Sequence, residues 1–237
     1  LMYLHIWDGT TPVDEVMRGF DDLVRAGKIV YAGISDTPAW QVARMQTLAD
    51  LRGWSPLIAL QVEYSLVQRT VERDLMPMAS ALGLGVTAWS PLGMGVLAGK
   101  YDRAALAAGD RDAVGVTGTR QQVALTHDML SERNLAIAEV VKAIAAEHGR
   151  SPAQVALAWL LQRPGPGAIP IVGARTLAQF EDNLGALDVQ LSQDDQRRLD
   201  EASAVPLGFP HDFMRLPVPR NNIFGGTQVR VSAASRG

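Results

Sequence analysis

The feature of this sequence that most constrains its fold is a repeated alternation of short apolar runs with longer amphipathic stretches. The apolar runs have hydrophobic residues on both faces, as parallel strands covered on both sides do. The stretches between them have apolar residues at helical spacing. Such alternation is typical of right-handed βαβ units and a parallel sheet, which predicts an α/β fold. The predicted strands are 2–6, 29–35, 58–64, 85–89 and 168–172.

Start and stop signals bound the helical stretches. Thr11 is a predicted N-cap with Pro12 at the first helical position, and Gly27 is the stop signal of the same helix. Ser151 and Pro152 repeat the starting signal later in the chain. The predicted helical stretches are 11–27, 37–53, 73–85, 132–149, 151–165, 176–187 and 192–203.

Composition narrows the functional classes. The chain has 237 residues, a net charge of −3 and no cysteine. The weak negative charge gives no basic field for nucleic acid or acidic lipid. The lack of cysteine excludes disulfides, thiolate catalysis and cysteine metal sites, and it fits a reducing cytoplasm. No apolar run reaches the roughly 18 residues of a membrane span, so we expect neither a nucleic-acid nor a membrane partner.

Two segments do not follow the strand–helix pattern. Residues 102–130 are polar, small and glycine-bearing, and predict a long excursion after a strand. The tail, 205–237, has many Gly and Pro residues and no clear period. Only five strands are predicted, whereas an eight-stranded barrel needs three more, or roughly 90–100 further residues at ~30 per βα unit.

Polar and aromatic residues recur where the predicted strands end. In a parallel βα barrel the site lies at the carboxyl ends of the strands, so these residues are the candidates for chemistry. One such strand end would be unremarkable, but five together are hard to assign to packing alone. The candidates are His5, Ser35, Asp36, Gln61, Trp89, Ser90, Gly173 and Arg175.

Structural alternatives remain open for several candidates. His5 and Trp89 each fit a place in the core, and the Ser35–Asp36 pair fits the cap of the next helix. Gln61 lies in an apolar strand, where an amide without a partner is costly, so we expect a polar partner that the backbone could supply.

Arg175 precedes a helix whose dipole disfavours a cation there, which favours an anion-binding role. The alternative is an ion pair with Glu181 or Asp182.

Other motifs are absent or weak. The glycine-rich stretch 90–99 follows a strand but does not open onto a long helix, so it is a poor match to a dinucleotide-binding fingerprint. The sequence has no P-loop and no Ser–His–Asp elbow. His127, His148 and His211 are scattered without metal-ligand spacing, so no metal site is predicted.

Taken together, these stretches resemble the aldo/keto reductase family. The matching pieces are "LHIWD", "TPVDEVMRGFDDLVRAGKIVYAGISD", "QVEYSLVQR", "AWSPLGMGVLAGKY" and "IPIVGARTLAQFEDNLGAL", in family order and at family spacing. The tail resembles that of bacterial members related to aryl-alcohol dehydrogenases. The resemblance implies a (βα)8 barrel in which residues 1–204 supply strands four to eight and 205–237 form a C-terminal extension. The first three βα units are then expected to be missing.

The resemblance also implies a cofactor and its ligands. The family binds NADPH and transfers hydride from the nicotinamide to an aldehyde or ketone. Within it His5 matches the catalytic histidine, and Trp89 matches an aromatic ring that stacks on the nicotinamide. Asp36 is a mild departure, because asparagine is more usual there. The cofactor contacts implied are Ser35, Asp36 and Gln61 on the carboxamide, Ser90, Leu92 and Gly93 on the pyrophosphate, and Gly173, Arg175, Gln179 and Asn183 at the adenosine end, with Arg175 on the 2′-phosphate.

The same resemblance limits what this chain could do by itself. The family's catalytic aspartate, tyrosine and lysine belong to the units expected to be missing. We therefore expect an NADPH-dependent carbonyl reductase of the cytoplasm, seen here as its C-terminal portion and inactive alone. The alternative is a truncated half-barrel that binds a cofactor or a partner without turnover. Neither the particular carbonyl substrate nor the oligomeric state follows from the sequence.

Overall fold

The computed structural model describes residues 1–107, 124, 127–225 and 227. Five parallel strands follow one another in the sheet in chain order. They are β1 (Met2–Leu4), β2 (Ala32–Ser35), β3 (Leu57–Glu63), β4 (Gly85–Trp89) and β5 (Ile169–Pro170). Each overlaps one of the five predicted strands, and β4 has the predicted bounds. The parallel five-stranded sheet of an α/β fold is therefore confirmed.

The strands are shorter than predicted at several ends. β1 stops at Leu4, so His5 lies just beyond the strand. β2 begins at Ala32 rather than at residue 29, and β5 has two residues where five were predicted. Runs of apolar residues continue past the hydrogen-bonded ladder, which is why hydrophobicity alone overestimates strand length.

The described residues contain ten α-helices. Short 3₁₀ turns also occur at Thr70–Glu72, Gly93–Gly95 and Gly185–Asp188. The helices are α1 (Val13–Arg25), α2 (Ala39–Arg52), α3 (Leu75–Ala81), α4 (Arg103–Ala107), α5 (Glu132–His148), α6 (Pro152–Leu161), α7 (Leu177–Leu184), α8 (Gln193–Ala202), α9 (His211–Arg215) and α10 (Pro217–Phe224).

Most of the predicted capping signals are confirmed. Ser151 and Pro152 start α6 with a full capping box, and Gly53 ends α2 in the left-handed conformation. The prediction for α1 was wrong by one residue, since Pro12 itself is the N-cap and no side chain caps the helix. The Thr11 hydroxyl instead donates to Asp8 in the turn before the helix.

Two segments differ from expectation or fall outside the description. The tail, which has no clear period, nevertheless forms α9 and α10. Of the predicted excursion at 102–130, residues 108–123, 125 and 126 lie outside the described residues. No helix in the part of the chain that the structure describes is long and apolar enough to cross a bilayer.

The chain divides into two compact units. Unit 1 comprises Leu1–Gln61, Thr70–Val86 and Val205–Gly237. Its core is formed where α1 packs against α2, with buried Phe20 and Met45 among its side chains. Gln46 of α2 accepts from the backbone N–H of Leu57 and donates to its carbonyl, which fixes the helix to the start of β3.

Unit 2 comprises Val62–Arg69 and Thr87–Ala204. Its helix α5 packs against α6 and α8. The largest fully buried side chain is Trp159, whose indole N–H donates to Asp200. The guanidinium groups of Arg69 and Arg163 lie 5.1 and 4.8 Å from the Trp159 ring, and both donate to the same carboxylate. This network satisfies the indole N–H of Trp159 and pairs the Asp200 carboxylate with two cations.

Candidate functional site

The strand ends of unit 1 bring three predicted site residues to one level of the sheet. Leu4 is in register with Ile34, and Ser35 is in register with Gln61. His5 directly follows Leu4, so His5, Ser35 and Gln61 stand at the carboxyl ends of adjacent strands. This is the edge at which parallel βα folds place their ligands.

The backbone at these strand ends adopts an unusual conformation. Ile6 follows β1 with φ 59°, Asp36 follows β2 with φ 45°, and Ser90 follows β4 with φ 49°. Residues other than glycine rarely adopt such angles, and those that do cluster at functional sites. Asparagine and aspartate tolerate this region best, which explains the residue type at position 36.

The alternatives raised for His5 and for the Ser35–Asp36 pair are not what the structure shows. The His5 side chain is 72% exposed, so His5 is not a core residue. Helix α2 begins after Pro38 without a side-chain cap, and the Ser35 hydroxyl donates to Asp36 at 2.9 Å instead. Both alternatives were wrong, because the imidazole of His5 is exposed and the N-cap of α2 is Pro38 rather than Ser35 or Asp36.

Gln61 does not find the polar partner expected of it. Its side chain is half-buried, and its amide makes no hydrogen bond to any residue that the structure describes. A half-buried amide in this state has both a donor and an acceptor for a ligand.

Unit 2 contains a cleft of about 330 Å³. It lies beside the turn that follows β4, the segment after β5 and the start of α6. Five predicted cofactor contacts from two distant parts of the chain line this one cleft. They are Ser90, Leu92, Gly173, Gln179 and Asn183.

Gly93 shapes the loop of the cleft without lining it. Its φ is +52°, and a Cβ atom at this position would lie 2.6 Å from Cγ2 of Val67. Both the backbone conformation and the close approach therefore require glycine. Trp89, at the end of β4, is half-buried, so part of its ring surface is accessible.

A cationic side chain, Arg175, lies directly before the start of α7. Thr176 is the N-cap, and Gln179 accepts from the backbone N–H of Arg175 at 3.0 Å. Arg175 is exposed and forms no ion pair with any residue in the described ranges. Asp182, one of its possible partners, accepts from Ser151 and from the Gln154 amide.

The structure adds a cation that the sequence analysis missed. Lys100 lines the cleft, together with the polar side chains of Ser151 and Asp182. The lysine directly follows the glycine-rich stretch 90–99, so its position in the sequence could have identified it as a candidate. Lysine and arginine side chains near a cleft suit a phosphate-bearing ligand.

Asp8, at the end of the loop after β1, has a structural role. Hydrogen bonds from the Thr11 hydroxyl, the Thr11 backbone and the Thr10 backbone lower the pKa of Asp8 from 3.8 to about 2. The carboxylate thereby closes the turn that leads into α1. No three histidine, aspartate or glutamate side chains are grouped as a metal would require within the described residues.

Comparison with known proteins adds the decisive observation. The model of the aldo/keto reductase family matches residues 1–204. The chain belongs to the aldo/keto reductase family. The predicted family resemblance is thus confirmed, while the barrel architecture and the lack of its first three βα units stay predictions.

Several relatives in the aldo/keto reductase family are close enough to align along most of the chain. Norsolorinic acid reductase A of Aspergillus parasiticus is 31% identical over 216 residues, which are 90% of this chain and 50% of the relative. An aryl-alcohol dehydrogenase [NADP(+)] of Phanerodontia chrysosporium is 32% identical, over 89% of this chain and 53% of the relative. The uncharacterized oxidoreductase YrpG of Bacillus subtilis is 36% identical, over 88% and 59%. The chain therefore spans about half the length of the curated relatives it matches.

Proposed function

We propose that this chain carries the cofactor-binding part of an NADPH-dependent reductase that converts a small aldehyde or ketone to an alcohol. The observation that carries the proposal is the unit 2 cleft, where Ser90 and Leu92 meet Gly173, Gln179 and Asn183. The name of the Phanerodontia chrysosporium relative, which includes NADP(+), supports the choice of nicotinamide cofactor.

The residues of the cleft fit the phosphate and adenosine parts of NADPH. Lys100 supplies a positive charge at the cleft, and Arg175 supplies a second before α7. Asn183 is mostly buried and offers an amide donor and acceptor. The volume of the cleft suits part of a dinucleotide rather than all of it.

The strand ends of unit 1 fit the carboxamide that NADPH carries. Ser35, Asp36 and Gln61 together offer hydroxyl, carboxylate and amide groups, which can both donate to and accept from a carboxamide. When bound, the cofactor supplies hydride to the carbonyl carbon. His5 offers an exposed imidazole that can donate a hydrogen bond to a carbonyl oxygen.

A second candidate function is cofactor binding without turnover. The burial of Tyr64 favours this function for the chain by itself. Reduction needs a proton donor for the oxygen that receives charge. Tyr64 is buried, and its hydroxyl accepts from Nε of Arg163 at 3.1 Å. It is therefore tied into the core of unit 2 and does not substitute for the family's tyrosine.

Titration of this chain with NADPH, followed by tryptophan fluorescence, tests the proposal. We expect saturable binding that weakens by roughly 10–150-fold in Lys100→Ala, the scale of one charge-assisted hydrogen bond. Lys28→Ala, a lysine of unit 1 outside the cleft, is the matched control and should bind as wild type does. Equal affinities of the two variants for NADPH would show that the cleft does not bind the cofactor.

The same samples separate the two candidate functions. Added benzaldehyde should cause no NADPH oxidation above background if the chain only binds the cofactor. Oxidation that depends on aldehyde and disappears in His5→Ala would show that the chain is a complete catalyst.

A further inference from the structure

One wall of the unit 2 cleft is held by side chains from the start of α6. Asp182 of α7 lines the cleft. Its Oδ2 atom accepts from the Ser151 hydroxyl at 2.9 Å, and its Oδ1 atom accepts from the Gln154 amide at 3.2 Å. Both carboxylate oxygens are thus bound by a segment that is 31 and 28 positions away in the chain.

The Gln154 side chain makes more hydrogen bonds than a helix cap requires. Its Oε1 atom accepts from the backbone N–H of Ser151 at 3.3 Å, which completes the capping box of α6. Its Nε2 atom donates to α7, both to the backbone carbonyl of Asp182 at 2.9 Å and to the carboxylate. The capping box by itself would need only the bond to Ser151. The bond to the carbonyl ties the backbone of α7, and not only one side chain, to α6.

Gly185, which directly follows α7, leaves room for the Gln154 amide. A Cβ atom at position 185 would lie 3.0 Å from Cδ of Gln154 and closer still to Nε2. The backbone of Gly185 has φ −59° and ψ −13°, which any residue adopts. The glycine is therefore explained by the space that the amide occupies rather than by its backbone conformation.

We propose that Gln154 is a positioning residue that holds α7 in place at the cleft. Gln179 and Asn183 line the cleft from the same helix, so fixing the backbone of α7 fixes them as well. Gln154 is half-buried and does not itself line the cleft, so its effect on a ligand passes through α7. Contacts that are ordered before binding raise affinity, because less order has to be imposed when the ligand arrives. The relevance to NADPH rests on the proposed reductase function.

Binding of adenosine 2′,5′-bisphosphate to the full chain tests the effect on a ligand. This probe contains the adenosine end of NADPH, which the family resemblance assigns to Gln179 and Asn183, without the nicotinamide. Gly185→Ala should weaken its binding by roughly 2–10-fold in calorimetry, the scale of one neutral hydrogen bond, although position 185 does not line the cleft. Gln154→Ala should weaken binding by a similar factor.

The double variant shows whether the two substitutions act through the same amide. In the Gln154→Ala background the methyl group of Gly185→Ala displaces no side-chain amide. The double variant should therefore bind adenosine 2′,5′-bisphosphate no more weakly than Gln154→Ala alone. Losses that multiply in the double variant would overturn the proposal.

Three control variants separate positioning from a general loss of stability. Gly19→Ala lies within α1, where a Cβ atom meets nothing within 4 Å, and Gln193→Ala changes an exposed residue of α8. Asp195→Asn removes a carboxylate that joins α5 to α8 and does not line the cleft. All three should bind the bisphosphate as wild type does. Weakening by Asp195→Asn equal to that by Gln154→Ala would assign the effect to stability and overturn the proposal.

Backbone amide hydrogen exchange of the chain without ligand tests the same role independently of NADPH. The amides of α7 should exchange roughly 2–10-fold faster in Gln154→Ala and in Gly185→Ala than in wild type, while those of α8 keep their rates. Unchanged exchange in α7 in both variants would overturn the proposal, whatever ligand the cleft binds. Faster exchange in a chain whose wild type does not bind the bisphosphate would support the positioning role and count against the reductase function alone.

Discussion

At the residue scale, we predict that Arg175 selects between the cofactors of the proposed reductase. It is exposed, has no ion pair among the described residues, and stands directly before the N-cap of α7. A guanidinium with a helix N-terminus suits a phosphate dianion. Arg175→Ala should weaken NADPH binding by roughly 10–150-fold and leave NADH binding nearly unchanged. Titrations with both cofactors check this, with the exposed Arg44→Ala as control; an equal loss for both cofactors would assign Arg175 to structure.

At the element scale, Asp195 joins two helices of unit 2. It accepts from the Ser192 backbone N–H at 2.9 Å in the capping box of α8, and it lies 2.9 Å from Nε2 of His148, the last residue of α5. Burial alone would raise the pKa of Asp195, but the hydrogen bonds from Ser192 and His148 outweigh burial and hold this pKa below its ordinary 3.8.

The consequence is a pH-dependent contribution to the free energy of unfolding. A carboxyl group with a lowered pKa in the folded state stabilises the fold above pH 3.8, and the effect is lost as the pH falls through the folded value. Asp195→Asn should therefore cost about 0.5–2 kcal/mol near pH 7, the range for a helix cap, and much less at pH 3. Urea unfolding at both pH values measures the difference. Substitution of the exposed neighbour, Asp194→Asn, serves as control. A loss of unfolding free energy in Asp195→Asn that is equally large at pH 3 and pH 7 would contradict the assignment.

At the scale of the whole molecule, the two outer strands of the described sheet expose apolar side chains. Met2 of β1 is 45% exposed and Ile169 of β5 is 66% exposed. Outer strands with unpaired backbone groups and apolar side chains are templates for association. We expect this chain alone to elute above its monomer mass in size exclusion with light scattering. Met2→Lys with Ile169→Lys should shift it toward monomer, whereas Leu51→Lys on α2 should not; a monodisperse wild-type monomer would contradict the expectation.

Local patterns in the sequence determined much of the element order. The cap at Ser151, the stops at Gly53 and Gly149, and the five apolar runs correspond to observed helix ends and strands. These features depend on residues within a few positions of one another, so the sequence carries them directly. The family resemblance likewise follows from ordered motifs and is confirmed by the family match to residues 1–204.

The tertiary structure decided which side chains meet. That Lys100 faces the same cleft as Asn183, and that Tyr64 is tied to Arg163, depends on segments that are distant in the chain. The approach of His5 to Asp36 depends on two loops with positive φ, which no periodic pattern reveals. Helices begin and end under local rules, whereas a site is assembled from strand ends whose spacing only the folded sheet sets.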